Sequence, residues 1–209
     1  QYINIDYKQI LKTYNFEYIS KNFFNEPDIL YELCHYDYIT IVEILLKTTD
    51  NIFKNQTEKN PLIISIMKGN IEIIELLLQR KEADINTKHL LTKAIRSENE
   101  ELIQLLLSHK NIKINSYQCF SSRDQHIVKQ PNLFTAIEIR SPEIVKMLLN
   151  YNKIDVNAVS IKKIQGSCTI KEKKTALYLA VELENIEIIK LLLDNKKINV
   201  NKPLIIEHI

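Results

Sequence analysis

Glycine is almost missing from this chain: Gly69 and Gly166 are the two present in 209 residues. A dinucleotide-binding fold or a phosphate loop clusters its glycines where backbone must approach phosphate, and no such cluster exists here. Cysteine is equally sparse. Cys34, Cys119 and Cys168 are far apart, odd in number and never spaced as C-x-x-C. That argues against a disulfide framework and a cysteine zinc site, and predicts reduced thiols in a cytoplasmic or otherwise intracellular protein. An excess of one charge is missing too. The 28 lysines and arginines nearly cancel the 26 acids, leaving a net +2, so neither nucleic acid nor an anionic lipid surface is indicated as a partner. No apolar run reaches the roughly 18 residues of a transmembrane helix, so no membrane span is expected.

Present instead is one apolar string that returns five times, at 41–46 (IVEILL), 73–78 (IIELLL), 102–107 (LIQLLL), 144–149 (IVKMLL) and 188–193 (IIKLLL). Counted between final leucines, the gaps are 32, 29, 42 and 44 residues. A second mark follows four of the strings: 83–86 (ADIN), 112–115 (IKIN), 154–157 (IDVN) and 198–201 (INVN). A third precedes each string, best kept at 175–180 (TALYLA) and weaker at 28–33, 60–65, 89–94 and 131–136.

Each unit reads as two helices. Leu177 and Ala180, like Leu133 and Ala136, lie three apart on one helix face, and the small residue lets a neighbouring helix approach. The second helix carries start signals: Ser141-Pro142-Glu143 offers a cap, a first-turn proline and an acid near the positive helix end. Asn70, Asn99 and Asn185, each soon followed by glutamate, repeat the cap. The leucine-rich helices are too apolar to stand alone. One side must pack on its own partner and another on the next unit, so the units must stack.

These residues resemble the ankyrin repeat family, whose pattern is a T-P-L-H-x-A start, an I-V-x-L-L-L second helix and a following A-D-V-N. The resemblance covers roughly residues 28–201, as five repeats at 28–55, 60–86, 89–115, 131–157 and 175–201. It departs from the pattern in places. Pro61 alone keeps the signature proline, and Tyr31, Ile63, Thr92, Phe134 and Tyr178 replace the histidine. The glycine between the helices survives only as Gly69. The resemblance implies an all-α fold, a helix–turn–helix solenoid with short or extended β-hairpin fingers. Residues 1–27 read as an N-terminal helical segment. Residues 202–209 read as the start of a further repeat, opening at Pro203-Leu204, or as a C-terminal end. The lack of a polar capping helix predicts a longer array, or association with another subunit through that end.

Function is expected where the spacing breaks. Insertions at 116–130 and 158–174 fall where ankyrin proteins carry their fingers, and the second holds five lysines against one glutamate. Val159 and Ile161 precede Gln165-Gly166, which reads as a hairpin turn. Tyr117, Phe120, Lys162 and Lys163 are the candidate contacts there; a solvated loop is the bland alternative. The resemblance also implies a partner-facing concave row at the ends of the first helices. The row holds His35, Met67, Lys68, Arg96, Ser97, Glu138, Ile139, Glu182 and Leu183, basic in the middle and acidic toward the end. An ordinary solvated helix face explains the same residues.

Catalysis is not expected. None of the five histidines has a metal-ligand spacing. Ser121, Ser122, Asp124 and His126 share one insertion, but a triad needs a rigid frame that a long loop lacks. No cofactor or metal site is expected. The reading is therefore a protein–protein interaction module of the scaffold or adaptor kind. The alternatives are a structural part of a larger assembly, using end faces and outer helices, or a targeting arm of an enzyme whose catalytic domain lies elsewhere.

Overall fold

A computed structural model describes residues 28–49, 53, 59–121, 127–164, 170–202 and 204–208. The N-terminal segment read over 1–27, the turn at Gln165-Gly166 and residues 122–126 lie outside the described residues. The chain divides into two compact units, Gln1–Asp84 and Ile85–Ile209.

The first unit holds helices α1 (Ile29–His35), α2 (Ile39–Thr48), α3 (Pro61–Lys68) and α4 (Ile71–Leu78). First helices pack together, α1 on α3, and second helices do the same, α2 on α4. In the second unit a short 3-10 turn, Thr87–His89, precedes α5 (Leu90–Arg96) and α6 (Glu100–Ser108). Strands β1 (Tyr117–Ser121) and β2 (Ile127–Pro131) then lead into α7 (Asn132–Glu138) and α8 (Pro142–Leu149). Strands β3 (Val159–Ile164) and β4 (Ile170–Thr175) lead into α9 (Ala176–Glu182) and α10 (Ile186–Leu193). A last strand, β5, spans Ile205–His208. Helices α5, α7 and α9 lie side by side, and α8 packs on α10.

Helices of seven to ten residues do not persist alone in water, so packing and caps must hold them. The caps are those the sequence announces. Asn70, Asn99, Ser141 and Asn185 each accept a hydrogen bond from the backbone N–H three residues on, at 3.0–3.3 Å. Asn60 and Thr175 do the same for the first helices α3 and α9. The packing follows the leucine register: Leu77, Leu106, Leu148 and Leu192 are all 0% exposed. Burying each such side chain is worth about 1.5–3 kcal/mol. Ala94, Ala136 and Ala180 are fully buried, as close helix approach requires.

The asparagine marks have a longer reach than a local turn. Asn115 donates from Nδ2 to the Lys153 carbonyl (2.7 Å) and accepts from the Asp155 N–H (2.9 Å), both in the next repeat. Asn157 makes the same pair with Lys197 and Asn199, and Asn86 with Asn111 and Lys113. Each of these three asparagines staples its own turn to the following one.

The expected fingers form at the two insertions. Two hairpins form, β1–β2 and β3–β4, but they do not stand apart. Strand β2 pairs antiparallel with β3 (Ile127 opposite Lys163, Lys129 opposite Ile161), and β4 pairs with β5. The result is one five-stranded sheet in the order β1-β2-β3-β4-β5. Long fingers expose backbone edges, and an unpaired edge is stabilised by the next strand. In the segment read as the start of a further repeat or a C-terminal end, Ile205–His208 form a strand that pairs with β4.

Candidate functional site

In an antiparallel sheet, residues opposite one another share a face, and neighbours along a strand do not. One face of this sheet presents Val128 and Gln130 from β2, Ser160 and Lys162 from β3, and Glu172 and Lys174 from β4. These side chains meet Phe134 and Glu138 of α7 and Leu179 of α9 around an open groove of about 230 Å³. The packing of β2 on α7 and of β4 on α9 fixes the walls.

Phe134, which stands where the ankyrin pattern has histidine, is buried at the base. The polar residues beneath are satisfied. Thr92 pairs with Asn132 through Oγ1 and Oδ1 at 2.6 Å, and Asn132 donates to the Ile114 carbonyl at 2.9 Å. Charge lines the rim. Gln130 Nε2 donates to Glu138 at 2.8 Å. Lys174 Nζ donates to both carboxylate oxygens of Glu182 at 2.8 Å, sits 3.3 Å from Glu172, and lies over the Tyr178 ring at 5.6 Å. Partial burial pulls the Lys174 pKa down, but the Glu182 bond and the two carboxylate charges outweigh it and hold the ammonium above its ordinary value.

The residues singled out from sequence divide among several places. Arg96, Glu138 and Glu182 are exposed at the ends of α5, α7 and α9, three helices packed in a row. Ile139 and Leu183, each one residue beyond its helix, are half-buried. Lys68 is exposed at the end of α3 in the first unit, 4.0 Å from Asp37. Tyr117 is exposed at the start of β1, opposite Pro131. The backbone of Phe120 pairs with Val128. Lys162 faces the groove, whereas Lys163 stands on the other face, opposite Lys171.

Within the row read as partner-facing, Glu182 is bound by Lys174 and Glu138 by Gln130. The sheet brings Lys162 and Lys174 to the acidic end of the row. Sequence reasoning missed Gln130, Ser160, Glu172, Lys174 and Leu179. Their period-2 alternation was available, but not which phase faces the helices.

A family model described as ankyrin repeats (three copies) matches residues 8–89, 30–118 and 91–203, beginning ahead of the boundary drawn at residue 28. No curated protein matches the sequence. Among solved structures, the chain is similar to the ankyrin repeat domain of Bcl-3, described as a unique member of the IkappaB protein family. The TM-score is 0.59 at 16% identity, over 80% of this chain and 69% of that one.

Proposed function

We propose that this chain, which belongs to the ankyrin repeat family, is a non-catalytic module that holds a protein partner in the groove between its sheet and its inner helices. Ankyrin repeats in general serve protein–protein interaction. The observation that carries the finer reading is the convergence of three strands and two helices on one open groove. At about 230 Å³ it has room for a partner's anchoring side chain rather than for a large enclosed ligand. Phe134 and Leu179 supply apolar walls, and Glu138, Lys162 and Glu172 supply charges that set orientation. Among the described residues no His, Cys, Asp or Glu cluster is arranged to hold a metal, and no helix is long and apolar enough to cross a membrane. The thiols of Cys34 and Cys119 are free, which fits a reducing, intracellular setting.

The test is the triple variant Arg96→Glu, Glu138→Lys, Glu182→Lys, compared with the parent by cross-linking and affinity capture of a partner, then by association kinetics. Exposed pairs contribute about 0.2–1 kcal/mol each, so the fold should hold. Association should slow and lose its salt dependence, because such a pattern steers encounter. Unchanged kinetics at low salt would remove the groove from consideration.

A second reading has its own observation. Val200 is 57% exposed, while its counterparts Ile85, Ile114 and Val156 in earlier repeats are buried. Val181, Ile186 and Leu193 of the same repeat are exposed as well, so the last repeat offers apolar side chains to a further repeat or another subunit. That is the assembly reading, with contact through the last repeat.

A further inference from the structure

Lys162 and Lys163 are neighbours in sequence and opposites in the sheet, and the face that Lys163 belongs to has a chemistry of its own. It carries Lys129 of β2, Lys163 of β3, and Lys171 and Lys173 of β4. Against these four stands Glu207 of β5, the one carboxylate of this face among the described residues. Lys163 lies directly opposite Lys171, an arrangement that costs a sheet stability. Between the lysines lie Ile127, Val159, Ile161 and Ile205, none of them fully buried.

Glu207 shows what these lysines accept. Its carboxylate bonds Lys173 Nζ at 2.5 Å and approaches Lys171 Nζ at 3.4 Å, one lysine directly opposite and one diagonal to it. The Lys173 bond, with help from Lys171, holds the Glu207 carboxyl below the usual glutamate range. Lys129 and Lys163 stand in a similar diagonal relation across β2–β3, and the described residues offer them no carboxylate.

We propose that this face is a second docking surface, and that its occupant is an extended, acidic polypeptide segment whose carboxylates bridge Lys129 and Lys163 as Glu207 bridges Lys171 and Lys173. Aliphatic side chains alternate with the lysines, as an extended peptide with alternating acidic and apolar residues requires. Single-stranded nucleic acid instead asks for aromatic platforms on which bases stack. The face has isoleucine and valine at its centre, with Tyr117 out on β1. The proposal is independent of the groove, which lies on the opposite face.

The probe is a fluorescein-labelled peptide of alternating Glu and Ala, about eight residues long, enough to span β2 to β5. Binding to the whole chain is read by fluorescence anisotropy at low salt. The double variant Lys129→Gln/Lys163→Gln should weaken it by about tenfold. Lys146→Gln/Lys190→Gln, the same charge change on the exposed faces of α8 and α10, should leave it alone. Glu207→Gln should tighten it by freeing Lys171 and Lys173. The melting temperature of Lys163→Gln should not fall, since a like-charge pair is removed; a fall would overturn the premise that Lys163 is uncommitted. Absence of binding, or equal binding by the double variant, overturns the proposal. So does an equal loss in Lys162→Gln, which would put the peptide in the groove. Tighter binding of an oligothymidine of matched charge would assign the face to nucleic acid instead.

Discussion

At the residue scale, the near-absence of glycine has a visible consequence. The residue just before the cap of each second helix adopts the left-handed conformation. Gly69 does so at φ 71°, but the same place is filled by Asp37, Glu98, Arg140 and Glu184 at φ 54–59°. An L-residue there pays roughly 1–2 kcal/mol that glycine avoids, partly offset by glycine's freer unfolded chain. Glu98→Gly should therefore raise the urea midpoint, by about 0.5–1 kcal/mol in stability. A lowered midpoint would show that the Glu98 side chain supplies more than its backbone costs. Cys34 makes the opposite point about the sparse thiols. It is fully buried beside Ser65, and burial pushes its pKa up to about 12, partly countered by the Ser65 hydrogen bond. Such a thiol is inert.

At the element scale, two kinds of contact hold the fold. Helices are held by their leucine stripe. Leu148 is 0% exposed on α8, which packs against α7 and α10, so Leu148→Ala should cost about 2–5 kcal/mol. The exposed Lys190→Ala should barely move the unfolding curve, and similar shifts for the two would refute the register. Strand β5 is held by its ladder to β4 and by Glu207. Because the Lys173 bond depresses the Glu207 pKa, the ion pair's contribution is present above the unfolded value, near 4.3, and is lost as pH falls through the lower folded value. Carboxyl NMR should find Glu207 titrating below the usual glutamate range, with the Ile206 amide shifting in step. Titration at the ordinary value would mean that the pair does not form in solution.

At the scale of the whole molecule, the chain comprises two compact units, each with its own buried set. The second contains three helix pairs, three asparagine staples and the entire sheet. Residues 85–209 alone should therefore unfold cooperatively in urea and keep strand signal by circular dichroism. A gradual, non-cooperative loss of structure would show that this unit depends on the remainder of the chain.

The sequence by itself determined the repeat. The leucine stripe, the helix caps and the asparagine marks are local signals, readable within a few residues because side-chain direction in a helix or a cap is set by the nearby backbone. That is why Leu77, Leu106, Leu148 and Leu192 are buried and Asn70, Asn99, Ser141 and Asn185 cap their helices as expected. The groove was legible in part: Glu138, Glu182 and Lys162 were singled out, while Lys174 and Gln130, which bind the two glutamates, were not. Only the tertiary structure decided that β2 joins β3, that Ile205–His208 close against β4, and that Lys162 and Lys163 serve different faces. The physical reason is that alternation along a strand separates two faces without saying which one is covered. The cover comes from α7 and α9 and from strands of other repeats, more than thirty residues away for β2 and β3, whose register is set when the repeats stack.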